Sequence, residues 1–266
     1  MQAEDEPAGF PNGATPVGSA RYYAVRFADA DSRNLLALLL LWYDEIRAIA
    51  AAPRDPGVAR LKLDWWIQEL QRLQQRQARH PLSSALQAHG RFDAVAMTQM
   101  NRIIEATEAE ITSPAITNDD AFRAACRHTG GTLYRLLAML EGPLAGGETA
   151  VGQGTYGEAV ERVLYFHDHP HRLPADLGRL HSEQRDQPAL STRCRQLLDV
   201  AAADLPAPLE PGRCNIADRL CALQRALHAK MQRQGFPVDR RLVDRPPIAH
   251  LWTAWRCRCH SDYPNT

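Results

Sequence analysis

The sequence has no long apolar run, no excess of charge of either sign and no alternating strand pattern. Its longest apolar run, Leu35 to Trp42, is far shorter than the roughly 18 to 20 residues that a membrane-spanning helix needs. Lys plus Arg and Asp plus Glu both number 31, so charge gives no reason to expect attraction to nucleic acid or to an anionic membrane. These absences favour a soluble, cytoplasmic protein that is not transmembrane and binds no nucleic acid.

Cysteine is sparse, and no secretory signal opens the chain. Six cysteines are spread over 266 residues without a regular spacing. Small secreted domains use dense cysteines as a disulfide framework, whereas long intracellular chains keep their thiols reduced. We therefore expect reduced thiols here.

Helical periodicity dominates what is present, and it predicts an all-α fold. The strongest pattern is Ser32 to Leu70, two helices separated by the breaker run Pro53 to Gly57. Apolar residues from Leu35 to Trp42 cover nearly every face of the first helix, so we expect it to lie at the centre of a bundle. The helical domain is predicted over residues 19–260, between a Pro- and Gly-rich disordered tail at 1–18 and a short tail at 261–266.

Two glycine-containing stretches need separate interpretation. Gly142 to Thr155 is predicted to be a connecting loop, and it lacks the Gly-Lys-Ser/Thr ending of a phosphate-binding P-loop. Gly130 and Gly131 instead fall inside a helical pattern, where each costs about 1 kcal/mol relative to alanine. They predict a kink, or a close approach by another helix or a ligand.

Several short motifs occur in an order that resembles the squalene/phytoene synthase family, the all-α prenyl synthases that join two prenyl diphosphates head to head. The resemblance covers roughly residues 20 to 260. It implies a single-domain helical bundle around a central cavity. The matching pieces are Tyr22-Tyr23-Ala24, Leu36-Ala37-Leu38, Ala59-Arg60-Leu61, Asp64-Trp65-Trp66, Glu69-Leu70, Gly130-Gly131-Thr132-Leu133 and Leu173-Pro174-Ala175-Asp176-Leu177.

The resemblance also implies a magnesium site, and here the sequence departs from the family. Active members hold Mg²⁺ with two aspartate motifs on facing helices, and the metal neutralises the departing diphosphate. An alignment without gaps places the first motif at Ile46, Arg47 and Ala50, and no two carboxylates anywhere in the chain are spaced i, i+4. Arg47 would repel Mg²⁺, so no cofactor is expected.

This loss makes the chain similar to a divergent, motif-poor branch of the family. That branch includes a mitochondrial complex I assembly factor with a phytoene-synthase-like domain, and it too ends in a tryptophan-bearing helix, here Leu251 to Arg256. The resemblance implies a non-catalytic binding or assembly-type protein. Such a protein could keep a cavity for an isoprenoid or lipid-like ligand, could bind a protein partner, and could lie at the periphery of the inner membrane.

Two other functions stay open. One is an active prenyl transferase with a remodelled, Mg²⁺-dependent site. The other is a transition-metal-binding protein, because histidines and a carboxylate cluster after the helix at Tyr156 to Phe166. The candidate residues are Arg47, Arg60 and Lys62 for an anion site; Tyr23, Trp65, Gly130, Gly131 and Phe166 for the cavity wall; and His167, Asp168, His169 and His171 for the metal.

Overall fold

Helices make up nearly all of the described chain, as the apolar periodicity predicts. The structure is a computed structural model that describes residues 9–51, 55–112, 116–142, 147–166, 172–177, 180, 187–203, 205, 214–236 and 243–259. Within these ranges there is no β-strand, and the only strand-like pairing is an isolated bridge between Ile116 and Pro174. The all-α prediction is therefore confirmed.

The helices follow one another in a simple order. A π-helical turn, Arg127–Gly131, separates the sixth from the seventh. The α-helices are α1 (Ala20–Arg26), α2 (Ala30–Ala51), α3 (Pro56–Gln74), α4 (Pro81–Ala88), α5 (Ala94–Thr112), α6 (Asp119–Cys126), α7 (Thr132–Glu141), α8 (Gly147–Leu164), α9 (Gln187–Ala202), α10 (Ile216–Arg233) and α11 (Pro247–Cys259).

Helix α2 lies at the centre of the bundle, as predicted. Leu35, Trp42 and Ile46 are fully buried, and the helix packs against α1, α3, α4, α5 and α7. Its partner α3 begins at Pro56, one residue after Asp55, whose side chain accepts a hydrogen bond from the Gly57 N–H. A proline at the first helical position sacrifices no helical hydrogen bond, which explains why the breaker run ends in a helix start.

Glycines bring the π-helical turn and α8 into backbone contact. A Cβ atom on Gly130 would lie 2.5 Å from Glu158 Cβ, and one on Gly154 would lie 2.2 Å from the Gly130 carbonyl oxygen. The predicted close approach is thus made by a helix. The loop prediction for Gly142 to Thr155 is wrong from Gly147 onward, because small residues there permit helix packing as well as turns.

The cysteines differ in part from the expectation of reduced thiols. Cys214, just before α10, forms a disulfide with Cys257 on α11, with Cα atoms 6.1 Å apart. Cys126, Cys194 and Cys221 are buried free thiols, as expected. The bonded pair is 43 residues apart in the sequence. Only the return of α11 alongside α10 brings the two together.

Part of the predicted N-terminal tail packs onto the bundle. The Asn12 side chain donates a hydrogen bond to the Ala37 carbonyl at 2.9 Å, and Ala14 and Thr15 are buried. This segment therefore contributes to the core, unlike the tail predicted from composition. Residues 1–8 and 261–266 lie outside the described residues. No helix in the described ranges is long and apolar enough to cross a membrane.

Candidate functional site

The three degenerate motif positions lie on the buried part of α2. Ile46 and Ala50 are 0% and 3% exposed and offer no oxygen ligand. Arg47, between them, is only 6% exposed, and its guanidinium points toward α5 and α8. The position expected to hold a metal-binding carboxylate therefore places a permanent positive charge inside the protein.

Three guanidinium groups converge on Glu110 of α5. Arg47 Nη2 donates to Glu110 Oε2 at 2.8 Å, and Arg162 Nη2 donates to Glu110 Oε1. Arg172 Nε lies 3.7 Å from Glu110 Oε2. Because Glu110 is only 11% exposed, these ion pairs are screened little by solvent.

Glu158 of α8 supplies the second buried carboxylate. Its Oε1 accepts a hydrogen bond from Arg162 Nε at 2.8 Å and lies 3.6 Å from Arg47 Nη2. Its Oε2 accepts one from the Tyr43 hydroxyl at 2.9 Å. We call Arg47, Glu110, Glu158, Arg162 and Arg172 the arginine–glutamate network.

Buried threonines complete the hydrogen bonding around the network. Arg47 Nη1 donates to Thr107 Oγ1 at 3.2 Å, and Arg162 Nη2 donates to Thr129 Oγ1 at 3.3 Å. Thr129 lies in the π-helical turn, whose glycine contact holds it against α8. The turn thus positions a polar group that the network uses.

The network keeps both carboxylates ionised. Burial would raise the pKa of Glu110, but Arg162, Arg47 and Arg172 outweigh it and lower the pKa to about 2. The pKa of Glu158 is also lowered, since Arg162 and Arg47 overcome its desolvation. Burial and the neighbouring Arg47 lower the pKa of Arg172 to about 10, so that arginine is the least well compensated cation.

This donor set does not fit Mg²⁺. Each of the four oxygens of Glu110 and Glu158 already accepts a hydrogen bond from an arginine or from Tyr43. A divalent cation would also meet three guanidiniums, and like unit charges at 4 Å repel by about 4 kcal/mol at an effective dielectric of 20. In the parts of the chain that the structure describes, no group of three His, Cys, Asp or Glu residues could hold a metal ion.

Among the described residues, two cavities adjoin the network. The smaller, about 270 Å³, is charged rather than apolar; it is lined by Arg21, Tyr43, Asp44, Arg47, Glu158, Glu161, Arg162, Tyr165 and Arg172. The larger, about 740 Å³, lies among α5, α6, the π-helical turn, α7 and α8, and we call it the α5–α8 cleft. Arg172 lines both cavities, whereas no residue of α2 lines the α5–α8 cleft.

Most other candidate residues lie away from these cavities. Arg60 is 58% exposed and pairs with Glu108 at 3.1 Å, and Lys62 is exposed, so neither joins Arg47. Trp65 is 40% exposed and packs edge-on against Trp66.

The remaining cavity-wall candidates serve packing. Tyr23 packs on the core that contains α2, and Phe166 is buried in a second core around α8 and α9. Gly130 and Gly131 form the helix contact and line neither cavity. His167, Asp168, His169 and His171 lie outside the described residues.

Sequence reasoning missed four members of the network: Glu110, Glu158, Arg162 and Arg172. One signal was available, because Glu158 and Arg162 form an i, i+4 pair of opposite charge on α8. No sequence pattern marked Glu110 or Arg172, since each contacts Arg47 only in the folded structure, across 63 and 125 residues of sequence.

Comparison with known proteins supports the family resemblance over residues 14–150. The squalene/phytoene synthase family model matches residues 14–150, just over half of the chain. The match includes α2 with its degenerate motif and ends before Glu158. No curated protein matches the chain significantly. On the strength of the family match, this chain belongs to the squalene/phytoene synthase family.

Proposed function

We propose that this protein is a non-catalytic member of its family that works as a binding or assembly-type protein. One observation carries the proposal: a buried arginine–glutamate network stands where active members are expected to bind Mg²⁺. Prenyl condensation needs the charge of a departing diphosphate to be neutralised by a metal. In this network both carboxylates instead pair with buried arginines of the protein itself.

Restoring a metal site would require breaking the network. Removing one partner of a buried ion pair typically costs about 3 to 5 kcal/mol, because the other charge is left uncompensated. Mg²⁺ also loses bound water reluctantly and demands near-ideal octahedral oxygen ligands. We therefore expect the folded state to keep its arginines in place rather than exchange them for metal.

The surfaces that remain favour binding. The α5–α8 cleft has a partly apolar wall formed by Ala106, Ala109, Ile116, Ala121, Ala125 and Val151, which suits a lipid-like or isoprenoid chain. On α11, Trp252 and Trp255 are 56% and 41% exposed, with ring centroids 5.0 Å apart. Exposed indole pairs are typical of contact surfaces, so an assembly role with a protein partner is consistent with this helix.

The test is turnover of prenyl diphosphates. We expect no release of pyrophosphate above a protein-free blank when the protein is incubated with farnesyl or geranylgeranyl diphosphate and Mg²⁺. Robust release with a C30 or C40 hydrocarbon product would instead establish an active prenyl transferase with a remodelled site. In that case Arg47→Ala should abolish turnover, while the exposed Arg60→Ala should leave it unchanged.

A further inference from the structure

Arg172 is the cation of the network whose charge is least well satisfied. Its Nη2 donates to the Arg47 carbonyl at 3.0 Å, but its Nε has no hydrogen-bond partner among the described residues and is buried. Within the described part of the chain its nearest carboxylate, Glu110, is 3.7 Å away and is shared with two other arginines. A buried donor without a partner costs about 1 to 3 kcal/mol, so an acceptor at this position would be stabilising.

The surroundings of Arg172 carry an excess of positive charge. Four arginines and three glutamates line the α5–α8 cleft: Arg102, Arg127, Arg135, Arg172, Glu105, Glu110 and Glu148. The buried side of the network adds Arg47, Arg162 and Glu158. The smaller cavity, which Arg172 also lines, adds Arg21, Asp44 and Glu161, so seven guanidiniums face six carboxylates, a formal excess of one positive charge if His128, which also lines the cleft, is neutral.

A second arginine of the cleft, Arg102, has no carboxylate partner among the described residues. Arg127 and Arg135 both pair with Glu148, at 2.9 and 3.7 Å. Arg102, in contrast, donates only a long hydrogen bond of 3.5 Å to Gln99, and in the described ranges it forms no ion pair. Arg172 and the exposed Arg102 are therefore, among the described residues, the two cations of this cleft with N–H donors available to a ligand.

We propose that the α5–α8 cleft binds, without a metal, a phosphate monoester that carries an apolar chain, with its head group at Arg172 and Arg102 and its chain along the alanine wall. A phosphate monoester carries a charge of about −1.5 to −2 at neutral pH, so this excess of positive charge attracts it. Guanidinium forks bind phosphate oxygens through paired hydrogen bonds. The proposal rests on the binding function above and assigns it a ligand class and a place outside α2.

The experiment is a calorimetric titration with dodecyl phosphate, below its micelle concentration and with EDTA present. We expect saturable binding that weakens by about tenfold or more in Arg172→Gln, since charge-assisted hydrogen bonds are lost. Arg172→Lys should recover part of the affinity because it keeps the charge. The matched control is Arg60→Gln, which removes an exposed cation paired with Glu108 and should leave binding unchanged.

Two further ligands test the contribution of the apolar chain and of the phosphate head group separately. Inorganic phosphate and dodecanol should each bind much more weakly than dodecyl phosphate, because each lacks one half of the proposed contact. Circular dichroism and thermal melting verify that Arg172→Gln is folded. If Arg172→Gln fails to fold, Arg102→Gln is measured instead and should weaken binding several-fold.

Three results would overturn the proposal: no binding of dodecyl phosphate, equal binding by folded Arg172→Gln or Arg102→Gln, or equal binding of inorganic phosphate. These outcomes are independent of the turnover test. Binding in EDTA reports only on the cleft, whereas release of pyrophosphate with Mg²⁺ would refute the non-catalytic function even if dodecyl phosphate binds as proposed.

Discussion

Glu110→Gln should lower the free energy of unfolding by about 3 to 5 kcal/mol, measured by urea denaturation. The substitution keeps the shape of the side chain and removes its charge. Three guanidiniums that now share Glu110 would be left with Glu158 alone, inside a region only 2% to 12% exposed at the arginine side chains. The protein would then hold an excess of two buried positive charges within the network.

The matched control is Glu108→Gln, two residues earlier on α5. Glu108 also pairs with an arginine, but Arg60 is 58% exposed and Glu108 is 32% exposed. Solvent screens such a pair, so we expect a loss of at most about 1 kcal/mol. Equal losses for the two variants would contradict the claim that the network is buried and tightly coupled.

Because the pKa of Glu110 is lowered, we expect its contribution to the free energy of unfolding to depend on pH. The pKa of Glu110 falls from its ordinary 4.5 to about 2 in the folded protein. A lowered pKa contributes stability that is fully present above the unfolded value and is lost as the pH falls toward the folded value. The difference in stability between the wild type and Glu110→Gln should therefore narrow between about pH 4.5 and pH 2. A constant difference across this window would count against an ionised Glu110.

Gly154→Ala should be the second strongly destabilising change, with a loss of about 3 kcal/mol or more. Its Cβ would lie 2.2 Å from the Gly130 carbonyl oxygen and 2.7 Å from the Gly130 carbonyl carbon. Both are backbone atoms of a packed helical turn and cannot rotate away, so α8 and the π-helical turn must separate. The separation would also pull Thr129 away from Arg162 and weaken the network.

Gly147→Ala on the same helix is the control. The nearest atom to its new Cβ would be Arg135 Nε at 3.8 Å, an ordinary contact. Alanine favours the helical conformation over glycine by up to about 1 kcal/mol, so this variant should be unchanged or slightly more stable. A mild effect of Gly154→Ala, similar to that of Gly147→Ala, would show that the two helices do not pack this closely.

The sequence predicts the helices well, since each must bury an apolar face that repeats every three to four residues. Helix α2 is the clearest case, because its apolar residues surround the whole helix and its burial follows directly. The loop prediction was wrong for Gly147 to Thr155 because this stretch has no apolar face that marks it as a helix. Its small residues have low helix propensity in isolation, and only the close contact with Gly130 makes their lack of side chains favourable.

Only part of the candidate site could be predicted from the sequence. Alignment with the family placed Arg47 at a metal-ligand position and predicted the loss of the usual magnesium site. It could not predict where the cation finds its partner, because Glu110 comes from α5 and nothing local distinguishes it from the partly exposed Glu108. The anion site expected at Arg47, Arg60 and Lys62 rested on the family's diphosphate cavity, whereas the structure places Arg60 and Lys62 at exposed positions of α3, away from Arg47.

The most direct test of the central claim is whether Mg²⁺ strengthens binding of an unreactive prenyl diphosphate. Farnesyl thiodiphosphate can be titrated into the wild type with EDTA and again with Mg²⁺, because it binds like a diphosphate but does not ionise readily. If the arginine–glutamate network replaces the metal site, the affinity should not rise when Mg²⁺ is added. A large Mg²⁺-dependent gain in affinity that Glu158→Gln abolishes would contradict the account, because it would show that the buried carboxylates still serve a metal.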